Sequence, residues 1–238
     1  MKTEILFPEV ANLCGDLMNV TYLRQCCPDM EVVETGLKDC PAFVDGGVDL
    51  VYVGSATERG LQLMVQALAP YRAELERYVD GGGLMLATGN SLDALGEYVV
   101  IDGKRAFDGL GLLKTHAEYH MMKRHNSFLL GSFQDMEIVG FKSLFGHTYP
   151  DNELADALFR VERGVGRHPG TYAEGFRRGG LMATYLIGPL LPLNPPFTRY
   201  LLEQMGAKDV KLAFEDTAMK AYRARVEEFR DEKRGYQY

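Results

Sequence analysis

The chain has 238 residues, of which 46% are apolar and 25% charged, with a formal net charge of −7. This much apolar surface offsets chain entropy and excludes a disordered chain, and the length fits one large or two small domains. The acid excess, with no basic patch on the scale that nucleic acid requires, sets nucleic acid aside, and no apolar run nears the roughly 20 residues of a membrane-spanning helix.

The first residues, Met1 to Glu9, place an acid and a proline where a signal peptide needs an apolar stretch, so a cytoplasmic location is expected. Cys14, Cys26, Cys27 and Cys40 all fall in the first forty residues and contain no Cys-x-x-Cys pair. They read as reduced thiols, and neither a zinc site nor any cofactor is expected. Val48 to Gly54 is a short β-branched run that suits a buried strand. Leu61, Met64, Val65, Leu68, Tyr71, Leu75, Tyr78 and Val79 then recur at three- and four-residue steps, which predicts one continuous amphipathic helix. Asp80 and Gly81 to Gly83 end it, because glycine accepts left-handed geometry. Leu84 to Thr88 is a second buried strand, and Gly89-Asn90 turns into a helix predicted near Ser91 to Tyr98. Strand, helix, strand, sharp turn and helix predict an α/β fold with a largely parallel sheet covered on both faces.

The middle of the chain predicts strands at Phe107–Leu113, Asn126–Leu130 and Met136–Phe141, in a more antiparallel arrangement. Leu181 to Ile187 is a further strand, ended by Gly188-Pro189. Pro195-Pro196 opens a helix to about Met205, as proline suits a first helical turn. Glu215 to Lys233 is a charged helix with a sparse stripe of Leu212, Phe214, Met219, Tyr222, Val226 and Phe229. No internal repeat or Pro/Gly/Ser-rich linker divides the chain.

Ligands of open parallel sheets bind beyond the carboxyl ends of the strands. Three such ends are legible: Gly54-Ser55-Ala56-Thr57, Ala87-Thr88-Gly89-Asn90-Ser91 and Tyr185-Leu186-Ile187-Gly188-Pro189. The second is where an acyl-transfer enzyme carries its nucleophile, on a tight turn before a helix.

The run Asn12-Leu13-Cys14-Gly15-Asp16-Leu17-Met18-Asn19-Val20 resembles the opening motif of class I glutamine amidotransferases of the cobyric acid synthase type. Within them it resembles most the glutaminase subunits of the lipid II amidating complex, which partner a Mur-ligase-like subunit. Val139-Gly140-Phe141 with Gly146-His147-Thr148-Tyr149 is similar to their Gly-Phe-Glu-Asn-His-x-Gly-Arg-Thr-Tyr segment. Thr184-Tyr185-Leu186-Ile187-Gly188-Pro189-Leu190-Leu191-Pro192 is similar to their Thr-Tyr-Leu-His-Gly-Pro-Leu-Leu-Pro. The resemblance implies a flavodoxin-like three-layer amidotransferase domain over residues 1–210, with the charged helix of residues 211–238 packed on it.

The departures carry the functional expectation. Anchored on Leu86 and Gly96, the family's elbow puts Gly89 at the place of its cysteine nucleophile. Ile187 stands at the place of its histidine, Gly54-Ser55-Ala56 at its oxyanion-side triglycine, and Asp93 at its elbow glutamine. Glutamine hydrolysis by this route needs a thiolate and an imidazole. The resemblance therefore implies an amidotransferase-like protein without glutaminase chemistry, supporting a Mur-ligase-like or other synthetase partner. Two alternatives stay open: an active amidotransferase with a rearranged site, through Cys14 or Thr88, and a module that binds glutamine or a related small molecule. Ligand contacts are expected from Gly54, Ser55, Ala56, Asn90, Ser91, Asp93, Lys123, Arg124 and His147. Ser91 also suits a helix N-cap with Asp93 favoured in the first turn. Cys14 suits a partly buried packing thiol, Lys123 or Arg124 a surface salt bridge, and His147 a hydrogen bond to a turn. His116, His120 and His125 read as solvent-facing or, at helical spacing, as metal ligands.

Overall fold

Side chains alternate across a strand, and this alternation builds two cores. Leu50 and Tyr52 enter one apolar cluster, Val51 and Val53 the other, and all four are buried. The computed structural model describes residues 1–152 and 156–237. Its first half comprises β1 (Lys2–Leu6), α1 (Met18–Cys26), β2 (Glu31–Thr35), β3 (Leu50–Val53), α2 (Glu58–Leu68), α3 (Arg72–Asp80), β4 (Leu84–Thr88), α4 (Ser91–Ala94), β5 (Tyr98–Ile101), β6 (Lys104–Asp108) and β7 (Thr115–Tyr119). There follow β8 (His125–Phe133), β9 (Met136–Leu144), β10 (Gly146–Pro150), β11 (Phe159–Arg163), β12 (Ala173–Glu174), β13 (Phe176–Arg178), β14 (Leu181–Thr184), α5 (Leu190–Leu193), α6 (Pro195–Gln204) and α7 (Glu215–Arg230).

The central sheet has six strands in the order β13-β14-β4-β3-β1-β2, parallel throughout except for the β13 edge. Apolar residues of α2, α3 and α4 cover one face. Those of α1, α5 and α6 cover the other. The expected α/β architecture with helices on both faces is present. Two four-stranded sheets, β10-β7-β5-β6 and β12-β11-β8-β9, are built from the middle of the chain and are mostly antiparallel.

Several boundaries differ from the expected ones. The helix over residues 61–79 is two helices joined by a 3-10 turn at Ala69–Tyr71. Pro70 lacks the amide that a continuous helix needs at that point. The helix after Gly89 is a single turn ending at Ala94, and Tyr98 already belongs to β5. Here Gly96 lies so close to Thr115 that a Cβ would meet its Oγ1 at 2.7 Å, and the chain turns away. The strand expected at Phe107–Leu113 ends at Asp108, with Gly109 packed against the Gly96 carbonyl. β14 stops at Thr184, and Ile187 instead bridges to Phe141 of β9.

The C-terminal helix ends at Arg230. Tyr222, Val226 and Phe229 pack it onto Phe128, Leu130 and Val139 of β8 and β9. Phe214, expected in its stripe, is 74% exposed and carries a left-handed backbone at the helix start.

Phe197 of α6 is fully buried, and its ring meets those of Phe133 and Phe159 edge-on at 5.2 and 5.4 Å. Phe197→Ala is expected to cost about 3–5 kcal/mol by leaving a cavity between α6 and the β8–β9 sheet. Urea unfolding with an unchanged m-value checks this, and a loss below 1 kcal/mol would contradict it.

Candidate functional site

The carboxyl ends of β1, β3, β4 and β14 meet at one edge of the central sheet. Beyond β1 the chain runs through Asn12–Asp16 and brings the Asp16 side chain back under the β3 and β4 turns. Asp16 is fully buried, and its Oδ2 accepts from the Ser55 backbone N–H at 2.9 Å, from the Ser55 hydroxyl, and from Thr88 Oγ1 at 3.0 Å. Its Oδ1 has no partner among the described residues. Burial pushes the Asp16 carboxyl above the usual range, and the bonds from Ser55 and Thr88 oppose that rise. Tyr52, also fully buried, donates to the Asp16 carbonyl at 2.8 Å and lies 2.8 Å from Thr88 Oγ1.

Gly89 follows β4 with φ +65°, the left-handed geometry of a tight strand-to-helix turn. A Cβ there would clash with Ser55 Oγ, lie 2.8 Å from Ser55 Cβ and meet Ile187 Cγ2 at 3.1 Å. Positions 89 and 187 are therefore neighbours. Between them stand a serine hydroxyl and an aliphatic branch, with neither sulfur nor imidazole. The amides beside the turn are also occupied. Ser55 N–H is held by Asp16, and Ala56 N–H donates to Asn90 Oδ1 at 2.9 Å while Asn90 Nδ2 donates back to the Ala56 carbonyl at 2.7 Å.

A cavity of about 200 Å³ opens over this floor. Among the expected ligand residues, Ser55, Ala56, Asn90 and Arg124 line it, as do Cys14, Tyr119, Tyr185 and Ile187. Gly54 lies behind the wall, its Cα packed toward the Ala11 carbonyl. Lys123 is exposed in the turn before β8 and away from the cavity lining. Arg124 places its guanidinium 4.5 Å from the Phe145 ring centroid and 3.4 Å from Ser143 Oγ. Neither forms the salt bridge considered for it among the described residues.

Cys14 is exposed at the cavity mouth with φ +60°, not packed as a small buried side chain. Desolvation and then Asp16 push its thiol up, against the pull of Arg124, which disfavours the thiolate that a nucleophile requires. Thr88 is fully buried and committed to Asp16.

Ser91 does not cap α4 with its side chain. Its hydroxyl turns back to the Thr88 carbonyl at 2.8 Å. Asp93 does stand in the first turn of α4, as expected, with its side chain turned into the interior. It is buried and collects Tyr119 OH at 2.5 Å, Thr148 Oγ1 at 2.5 Å and Tyr185 OH at 2.6 Å. Desolvation raises its pKa to about 6 against those three bonds.

His147 is buried against the His125 ring at 4.2 Å, and neither ring nitrogen has a hydrogen-bond partner among the described residues. The ring packs on His125 at the start of β8, near the Arg167 backbone. Desolvation, with His125 and Lys142 nearby, lowers its pKa to about 3. His116 lies on β7, between the rings of Tyr98 and Tyr149, and His125 is half-buried. His116 and His120 are thus not on a helix, and no cluster of three or more metal-ligating residues exists among the described residues.

The residues that sequence reasoning missed are Asp16, Tyr119 and Tyr185. Asp16 was visible as an acid in the turn after the first strand. The two tyrosines reach the site through β7 and β14, which no local pattern joins.

Comparison with solved structures gives the class first. The chain covers 99% of one glutamine amidotransferase at a TM-score of 0.57 and 15% identity, with 86% of its own length matched. A Thermotoga maritima glutamine amidotransferase gives a TM-score of 0.53 at 10% identity, over 98% of this chain and 91% of that one. The chain thus has the fold of a glutamine amidotransferase. Among characterised proteins it is similar to subunit GatD of the glutamine-hydrolyzing lipid II isoglutaminyl synthase of Staphylococcus aureus, at 28% identity over 196 residues, 81% of this chain and 79% of that protein. The GatD of Streptococcus pneumoniae is 23% identical over 226 residues, 89% of this chain and 84% of that protein. No family model matches the chain. It is an amidotransferase-like domain related to GatD. No helix among the described residues is long and apolar enough to cross a membrane.

Asp93 supplies a pH test. Its folded pKa of about 6 lies above the ordinary 3.8, so the folded state binds a proton more tightly than the unfolded chain. Its contribution to stability is full below pH 4 and is lost as pH rises through 6. The unfolding free energy of the wild type relative to Asp93→Asn is therefore expected to fall between pH 4 and 6 and to level off above 7. Urea titrations across that range check it, and parallel profiles would refute it.

Proposed function

We propose that this chain is an amidotransferase-like subunit that does not run thiol-dependent glutamine hydrolysis and that serves a synthetase partner of the Mur-ligase-like class in the cytoplasm. The observation that carries the reading is the meeting of Gly89 and Ile187 over the Ser55 hydroxyl. The family's reaction begins with sulfur attacking a carboxamide and an imidazole moving the proton. Glycine offers no atom for the attack, and isoleucine holds no proton. Losing a nucleophile or base of this kind costs on the order of 10⁶-fold in turnover. The amides of Ser55 and Ala56, which would face a developing oxyanion, already donate to Asp16 and Asn90.

A partner role is supported by the relatives, since GatD is by name a subunit of a synthase. The cavity above Ser55, Ala56, Asn90 and Arg124 is the place in this reading for a small polar ligand, glutamine included. Gly54, Ser91 and Asp93 act behind it by holding the turns, His147 fills space beside His125, and Lys123 contributes only surface charge.

Ammonia release from glutamine is expected to stay at the buffer level for the wild type. Gly89→Cys alone is expected to remain inactive, because Ser55 occupies the space of the new side chain. Combining Gly89→Cys, Ser55→Gly and Ile187→His is expected to raise ammonia release at least tenfold over the wild type. Steady glutamine turnover by the wild-type chain would end the reading. Affinity capture is expected to recover an ATP-dependent ligase in equal amount, and a chain recovered alone would count against the partner role.

A further inference from the structure

We propose that Ser55 and Asp16 form a nucleophile–base dyad for acyl transfer, acting on a small carboxylate-bearing ester. The dyad stands where the amidotransferase elbow presents its own side chain. A Cβ on Gly89 would clash with Ser55 Oγ, so the hydroxyl of one strand end crowds the space a side chain of the other would need. Ser55 Oγ donates to Asp16 Oδ2, and the Ser55 N–H donates to the same oxygen at 2.9 Å, which fixes the loop against the carboxylate. Thr88 Oγ1 holds that oxygen from the other side at 3.0 Å. Asp16 has no surface exposure, and its second oxygen has no partner among the described residues. A carboxylate kept from water binds a proton more tightly and is a stronger base than one in solution.

Ser55 keeps 5% of its surface, and that surface faces the cavity of about 200 Å³. The cavity takes a small molecule and no polymer. Its walls divide the ligand. Tyr119, Phe145, Tyr185 and Ile187 suit an apolar acyl chain; the charged lining residues are Glu58 and Arg124, and Arg124 is the one suited to a carboxylate. In the first half-reaction Ser55 Oγ bonds to the ester carbonyl carbon and its proton passes to Asp16 Oδ2. The bond to the leaving alkoxide then breaks, and the alkoxide takes that proton as an alcohol. In the second half-reaction water attacks the acyl-serine, gives its proton to Asp16, and the carboxylic acid departs as Ser55 Oγ takes the proton back.

An alkyl fluorophosphonate tests the dyad on the intact chain without glutamine or a partner. Its phosphorus bonds to Ser55 Oγ, the P–F bond breaks, fluoride leaves and the proton goes to Asp16. Peptide mass mapping is expected to place a stoichiometric adduct on Ser55 and none in Ser55→Ala. Asp16→Asn is expected to slow labelling at least tenfold. In the wild type the labelling rate is expected to rise with pH as Asp16 ionises, a readout that survives if the variant fails to fold. With p-nitrophenyl hemisuccinate, Arg124→Gln is expected to raise KM at least tenfold. A folded wild type that gives no Ser55 adduct overturns the proposal, as does labelling of folded Asp16→Asn at the wild-type rate. The dyad does not rest on the partner reading. A failed labelling leaves that reading intact, and glutamine turnover without a Ser55 adduct would remove both.

Discussion

A carboxylate withdrawn from water must be answered by donors, and four such groups tie this fold together. Glu4, Asp16, Asp93 and Glu174 are all at most 2% exposed. Glu4 accepts from Thr35 and from the amides of Ala42 and Phe43. Glu174 accepts from buried Lys142 at 2.7 Å, Thr184 at 2.9 Å and the Tyr185 amide at 2.8 Å. Asp16 and Asp93 bind the turns of the site in the same way. Every partner lies on another strand or loop, so each acid joins segments far apart in sequence. Removing one side of such a contact leaves a buried charge unpaired, which is costlier than the contact is favourable.

This stapling explains how the turn at Gly89 keeps its shape. The turn at residue 89 stays left-handed, and glycine adopts that geometry without strain. Around it Asp16 draws Ser55 inward, Asn90 and Ala56 exchange two hydrogen bonds, and Ile187 bridges to β9. The geometry is held by hydrogen bonds and packing that do not involve the reacting atoms, so the side-chain chemistry can change while the backbone persists.

In the central layer β3, β4, β14, α2, α3 and α6 were legible, the strands as short apolar runs between turn residues and the helices by their apolar period. Leu50–Val53 and Leu84–Thr88 alternate between two cores, and the α2 pattern shows one apolar face. Breaks were less legible. Pro70 sits inside a helical pattern whose periodicity continues across it, so the apolar spacing hides the kink. The short α4 and the end of β6 depend on Gly96 meeting Thr115 and Gly109 meeting the Gly96 backbone, contacts between segments that no local window contains. The role of Ser91 was misread because a local rule favours a helix cap there, while its hydroxyl turns back into the buried interior to the Thr88 carbonyl.

By itself the sequence determined that glycine stands at 89 and isoleucine at 187, since side-chain identity does not depend on folding. It also determined the buried strands of the parallel sheet, since a short apolar run between turn residues is a property of the chain. Tertiary structure alone decided what fills the space between those two positions. Ser55, Asp16 and Thr88 are separated by dozens of residues, and only the parallel crossovers bring β1, β3 and β4 side by side, so that three side chains of no local distinction share one buried oxygen.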